Sequence, residues 1–165
     1  MKHLIIILFA LLPLLSCSQK YKSFDEMATA MADETVPILT VDQVKVLEAK
    51  GKPVIFLDAR EIEEYNTSHI KNAMWVGYDD YQKNKVKSLD RNKTYIIYCS
   101  VGYRSGKIGK KMLKMGFKNV FNLYGGIFDW VNKGNPVYNS KGVTSKTHPY
   151  DDSWGKWLKK EYRSK

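Results

Sequence analysis

Cysteine is scarce in this chain, and the scarcity excludes a structural class. Cys17 and Cys99 are the two cysteines among 165 residues, too few for the disulfide framework that staples small secreted domains. A membrane-spanning run is missing at the start of the chain. Leu4 to Leu15 carries no charge but contains Pro13, and it falls short of the about 20 apolar residues a helix needs to cross a bilayer. There is no long Lys/Arg run and no nucleic-acid-binding motif, so the formal charge of +10 is scattered. Such a field attracts anions in general, lipid head groups and small oxyanions included. Nucleic acid is not expected as a partner. Internal repeats and low-complexity tracts are absent as well. What is present, 44% hydrophobic and 13% aromatic residues, suffices for one folded core rather than a disordered chain.

The first residues read as an address. A short charged start, Met1-Lys2-His3, precedes the apolar run, and Leu14-Leu15-Ser16-Cys17 follows it. This order resembles a bacterial lipoprotein signal, in which the chain is cut before the cysteine and that cysteine is acylated. The resemblance implies a signal peptide over 1–16, lipidation of Cys17, and a protein anchored to a membrane of the bacterial cell envelope. A plain secretory signal cut at a nearby small residue is the alternative. If Cys17 carries lipid, Cys99 is the one free thiol.

A short tether and helix are expected over 17–35. Ser23-Phe24-Asp25-Glu26 has the spacing of a capping box, and Phe24, Met27, Ala28 and Met31 would form one apolar helix face. Thr40-Val41-Asp42-Gln43 is a second capping box, opening a helix with Val41, Val44, Leu47 and Val46 turned inward and Gly51 as its terminal glycine. Three continuous apolar runs follow, Val54 to Asp58, Tyr95 to Cys99 and Val120 to Leu123. Such runs fit strands buried on both faces of a parallel sheet. Helical stretches lie between and after them, about Arg104 to Met115, closed by Gly116, and from Gly125-Gly126 through Ile127, Trp130 and Val131. The alternation predicts one α/β domain over 36–137, with a mostly parallel sheet and helices on both faces.

The chemistry concentrates in Cys99-Ser100-Val101-Gly102-Tyr103-Arg104-Ser105. This stretch leaves a strand's carboxyl end and enters a helix, where open α/β sheets bind ligands. Loop N–H groups and the helix N-terminus form a nest for negative charge, which favours a thiolate at Cys99, the nucleophilic form. The alternative is a buried core cysteine. Gly102, which permits close backbone approach, and Arg104, which supplies positive charge, argue for the functional reading.

From Ile38 to Val137 the sequence resembles the rhodanese family. Cys99-x-x-Gly102-x-Arg104-Ser105 is similar to the active loop of its single-domain members. Asp58-x-Arg60-x-x-x-Glu64-Tyr65 with His69-Ile70-x-x-Ala73 is similar to its upstream signature, and Leu123-x-Gly125-Gly126-x-x-x-Trp130 to its downstream one. Ser68 and Asn72 stand where glycines are usual, and Val101 where small polar residues are frequent. The resemblance implies a single rhodanese-like domain and a sulfurtransferase. Cys99 would take sulfane sulfur from a thiosulfate-like anionic donor, hold it as a persulfide against the loop Ser100, Val101, Gly102, Tyr103 and Ser105, and pass it to a thiol or cyanide. Arg104, helped by Arg60, would attract the donor. No metal and no organic cofactor is implied.

Other readings compete at several positions. Asp58 and Arg60 would instead form a structural ion pair. His69 is expected to be a hydrogen-bonded structural residue rather than a base, Trp130 to be core, and His148 to lack a partner. In the extension 138–165, Trp154, Trp157, Leu158 and Glu161/Tyr162 would line one face of a terminal helix, lying on a membrane or, as the Pro-containing stretch Thr147 to Asp152 favours, packing on the domain. A non-catalytic sulfur carrier or partner-binding module is the main functional alternative. A cysteine phosphatase or arsenate reductase is the lesser one, because those enzymes place five residues between Cys and Arg, and here Ser100 to Tyr103 are four.

Overall fold

The computed structural model describes residues 21–165. The expected signal segment and Cys17 lie outside the described residues. The first helix, α1 (Phe24–Met31), starts at Ser23, whose Oγ accepts the Glu26 N–H at 3.1 Å. Its expected box is half formed, because the Glu26 carboxylate takes the Lys22 N–H rather than that of Ser23. Around α2 (Val41–Ala49) the box is complete: Thr40 and Gln43 exchange backbone and side-chain bonds. Gly51 follows at φ +65°, the left-handed turn that favours glycine. Val41 and Val44 are buried, but Val46 is half exposed. That corrects the inward expectation for Val46, which lies two residues from Val44, off the buried stripe.

Five parallel strands build the sheet: β1 (Ile38–Leu39), β2 (Val54–Asp58), β3 (Met74–Trp75), β4 (Thr94–Tyr98) and β5 (Asn119–Leu123), in the order β1-β5-β4-β2-β3. The central β4 explains the layers. Successive side chains of a strand point to opposite faces. Ile96 and Tyr98 join one buried cluster, with Met27 of α1, Val44 of α2 and Ile127 of α6 (Gly126–Asn132). Tyr95 and Ile97 join the other, with Val86 of α4 (Lys83–Lys87) and Ile108 and Met112 of α5 (Tyr103–Lys114). Helices therefore cover both faces, as the uninterrupted apolar runs require. A short helix α3 (Ile62–Thr67) follows β2. The β2 and β4 carboxyl ends lie side by side, with Asp58 paired to Tyr98, so the segments after both strands open on one edge.

The extension departs from the expected terminal helix. It forms an antiparallel hairpin, β6 (Val137–Asn139) with β7 (Gly142–Thr144), a one-turn helix α7 (Asp152–Gly155) and a 3-10 turn at Lys160–Tyr162. Tertiary partners replace the helical ladder. Lys159 N–H donates to Asn132 Oδ1, and Thr147 exchanges backbone bonds with Tyr162 and Ser164. Leu158 is fully buried in the first cluster, with Trp154, Trp157 and Tyr162 packed against it. The extension thus packs on the domain.

Candidate active site

Cys99 is the first residue after β4, and Gly102 (φ +115°) begins α5. The thiol is 1% exposed. The Gly102 N–H donates to Sγ at 3.1 Å, and Ser105 Oγ lies 3.5 Å from it. Asn122, buried on β5, sits behind this group. Its Nδ2 donates to the Gly102 carbonyl at 2.9 Å and its Oδ1 accepts the Ser105 hydroxyl at 2.7 Å. A serine hydroxyl has one proton. The 2.7 Å bond to Asn122 therefore competes for that proton with the 3.5 Å bond to the sulfur. The far side of the loop is pinned by α6: Ile127 and Phe128 N–H groups donate to the Cys99 and Ser100 carbonyls. Gly126 makes this approach possible. It sits at φ +57°, and a Cβ there would run into both carbonyls. Of the expected nest, one N–H, that of Gly102, bonds the sulfur.

Arg104 lies beside the thiol but is heavily engaged. Its two terminal nitrogens bond Glu64 bidentately at 2.7 and 2.8 Å, and Nη2 also donates to Ser100 Oγ at 3.0 Å. Glu61 stands 3.5 Å away, and the Tyr150 ring lies 4.8 Å from the guanidinium carbon. Burial alone would push the Glu64 carboxyl up, but Arg104, Arg60 and the Glu61 N–H together hold it below its ordinary 4.5. The Glu61 carboxyl moves the other way. Burial raises it, and the Asp79 N–H and Arg104 offset only part of that.

The depressed carboxyl of Glu64 makes a pH prediction. A carboxyl with a lower pKa folded than unfolded contributes stability that is full above its unfolded value and is lost as pH falls through the folded one. Glu64→Gln is expected to destabilise the protein by about 3 kcal/mol at pH 7, because Arg104 loses its main partner in a mostly buried setting. The gap between variant and wild type should narrow as pH drops below 4.5. Urea midpoints at pH 7 and pH 4 test this, and a constant gap would reject the ion-pair account.

Arg60 is corrected. It is fully buried beneath the site. Nε and Nη2 bond the two Asp58 oxygens at 2.9 and 2.6 Å, and Nη2 also donates to the Ser68 carbonyl at 2.6 Å. It cannot meet a donor and is a structural ion pair. His69 is structural as expected: Nδ1 meets the Tyr65 carbonyl at 3.0 Å, the ring stacks on Tyr65, and its backbone pairs with Tyr138. Asn72, in the place of a usual glycine, adopts φ +59°, which asparagine tolerates. Ser68 is extended and buried, its hydroxyl 3.2 Å from that of Thr147. His148 finds a partner after all, accepting the Tyr150 N–H at 3.0 Å.

A cleft of about 390 Å³ opens on Cys99. Ser100, Val101, Tyr103 and Arg104 of the loop line it with Glu61, Tyr78 and Asp79, and Met31, Tyr150 and Trp154 complete it. The expected loop residues are therefore together, with Gly102 and Ser105 buried against the sulfur and Arg60 outside. Sequence reasoning missed Asn122 and the contributions of α1 and the extension. None carries a local signal, since each reaches the site through the fold.

Comparison with known proteins identifies the family and the fold. The family model for the rhodanese-like domain matches residues 40–133. The chain is 31% identical over 122 residues to tRNA uridine(34) hydroxylase of Pectobacterium carotovorum, which covers 71% of this chain and 34% of that protein. It is 31% identical over 99 residues to YrkF, a proposed sulfur carrier protein of Bacillus subtilis, covering 60% of this chain and 53% of that one. The chain thus spans about a third of the hydroxylase and about half of the carrier. Among solved structures, a rhodanese-like domain protein of Staphylococcus aureus superposes with a TM-score of 0.54 at 28% identity, over 66% of this chain and 97% of that one. The rhodanese-like domain of an Anabaena protein gives 0.57 at 25% identity, over 62% and 79%.

Proposed function

The chain belongs to the family of rhodanese-like domains, and from that premise we propose that it is a sulfurtransferase in which Cys99 carries sulfane sulfur as a persulfide. One observation carries the reading: Cys99 lies at the carboxyl end of a central strand and lines the cleft, with the Gly102 N–H on its sulfur. The Cys99 thiolate attacks the outer sulfur of a donor. A new S–S bond forms, the donor's own S–S bond breaks, and the electron pair leaves with the remainder, sulfite from thiosulfate or a thiolate from an organic persulfide. A cyanide or thiol acceptor then takes the outer sulfur and regenerates the thiolate. Gly102 orients the sulfur, and Asn122 holds Ser105 and the Gly102 carbonyl in register. Among the described residues no second cysteine is near to resolve the persulfide internally, so the loaded state waits for an external acceptor.

A carrier without turnover is the second reading, favoured by the nearly complete burial of the thiol. Mass spectrometry after incubation with a sulfane donor is expected to find one added sulfur on the Cys99 peptide, removed by cyanide with release of thiocyanate. Loading without multiple turnovers would select the carrier. Absence of loading from every donor class would remove both.

The reading extends to placement. Leu14-Leu15-Ser16-Cys17 supports lipid attachment at Cys17 and action at the bacterial cell envelope. Several acyl chains on one cysteine anchor stably, at ~0.8 kcal/mol per buried methylene. A Cys17→Ala chain that is still exported should be released without detergent. Retention that needs detergent at high salt would reject the anchor.

A further inference from the structure

The family match ends at residue 133 and begins at residue 40, yet three residues outside it line the cleft: Met31 of α1, and Tyr150 and Trp154 of the extension. They set the chemistry of its walls. Tyr150 is held in an unusual way. It takes φ +69°, one of two described non-glycine residues in the left-handed region, and its ring is about half exposed. Its N–H is fixed by His148, and the next residue, Asp151, caps α7 through the Trp154 N–H at 2.9 Å. A strained backbone that presents a large ring to a cleft is a recurrent mark of ligand contact.

Charge points in the same direction. Among the described residues the one cation of the cleft is Arg104, and Glu64, Glu61, Ser100 and the Tyr150 ring already surround it. Asp79 adds a carboxylate to the lining. Lys107, one turn further along α5, is drawn to Asp33 at 3.5 Å and lies over the Tyr103 ring. Arg60 is sealed below. With Glu64 pairing Arg104, the two lining carboxylates, Glu61 and Asp79, leave the cleft negative before the sulfur itself is ionised. A dianion such as thiosulfate finds no unpaired cationic side chain there. The volume also exceeds what a small oxyanion needs and falls at the low end of the about 300–1,000 Å³ of small-molecule sites.

Resting on the sulfurtransferase reading, we propose that the sulfur donor of this cleft is a small organic persulfide with an apolar, uncharged or cationic body, gripped by Tyr150 and Trp154, and that anionic donors are discriminated against by Glu61 and Asp79. The Cys99 thiolate takes the outer sulfur of R–S–SH. The Cys99–S bond forms, the donor S–S bond breaks, the proton stays on the transferred sulfur, and the pair leaves as RS⁻.

Matched probes separate body from reactive group. Second-order rates of Cys99 loading are measured with methyl, benzyl and 4-carboxybenzyl persulfides and with thiosulfate. Wild type should load from the benzyl donor about tenfold faster than from its carboxylate, since like charge is a device of discrimination, and Asp79→Asn should narrow that ratio. Tyr150→Gly removes the ring while suiting the left-handed backbone, and it should lower the benzyl-over-methyl preference about fivefold, whereas Tyr150→Phe keeps it. An unchanged preference in Tyr150→Gly, or equal loading from the carboxylate, overturns the proposal. Binding of benzyl thiol to the Cys99→Ser protein, followed by NMR, distinguishes the two readings. Tyr150-dependent binding with no loading in wild type keeps this site and removes sulfur transfer. Neither binding nor loading removes both.

Discussion

Cys99→Ser is expected to fold, to keep its cleft, and to lose sulfur loading by about 10³-fold or more, because the nucleophile that would form the S–S bond is gone. The two halves of that result have separate causes. Stability should change by about 1 kcal/mol or less. The serine oxygen is smaller than sulfur, but the Gly102 N–H, 3.1 Å from Sγ, can donate to it, so the buried hydroxyl is not left unsatisfied. The neighbours need not move. Asn122 holds Ser105 and the Gly102 carbonyl without help from the sulfur, and α6 holds the Cys99 and Ser100 carbonyls. Transfer, by contrast, has no substitute, since no second cysteine lies among the described residues. Unfolding curves and mass spectrometry on one preparation settle both halves. A folded serine variant that still transfers sulfur would end the persulfide mechanism.

What the sequence makes legible follows from how local each signal is. β2, β4 and β5 can be read from continuous apolar runs, because burial on both faces removes the polar alternation. β1 and β3, two residues each, are too short to show any period, and only pairing with β5 and β2 makes them strands. The loop from Cys99 to Ser105 is contiguous, so its residues can be assigned together. The partners that decide what the loop does are not contiguous. Glu64 lies 40 residues before Arg104 and bonds its guanidinium at 2.7 Å, a pairing that no local pattern announces. Asn122 reads as one polar residue in a strand until β5 brings it behind Ser105. The extension misleads through true periodicity. Trp154, Trp157, Leu158 and Tyr162 do bury their apolar surface, but the backbone beyond Gly155 bonds the Asn132 side chain and Thr147 instead of continuing the helix.

Asp58→Asn is expected to be the most destabilising single change considered, costing about 3–5 kcal/mol, the range for removing one charge of a buried pair. Both side chains are fully buried. Asp58 accepts the Arg60 backbone N–H at 3.0 Å and both guanidinium bonds, and its carboxylate offsets the cost of burying the guanidinium charge, so that the arginine's pKa is raised despite burial. Asparagine preserves shape and one acceptor. At the other position it sets an amide N–H₂ against Nη2, donor facing donor, beside a charge with no counterion. On a total of about 5–15 kcal/mol, such a loss removes a large share of the fold's stability. At roughly 2–4 °C per kcal/mol for a chain of this size, the melting temperature should fall by about 10 °C or somewhat more. Asp58→Leu with Arg60→Met separates structure from substrate binding. Apolar side chains of similar volume can replace a buried pair with little net loss, and the methionine would keep the packing of the arginine stem near Tyr98. The double variant should recover most of the stability. It should also load sulfur from any donor at nearly the wild-type rate, because Arg60 lies outside the cleft. A double variant restored in stability yet selectively impaired towards anionic donors would return Arg60 to the substrate, acting on it through the field of its charge.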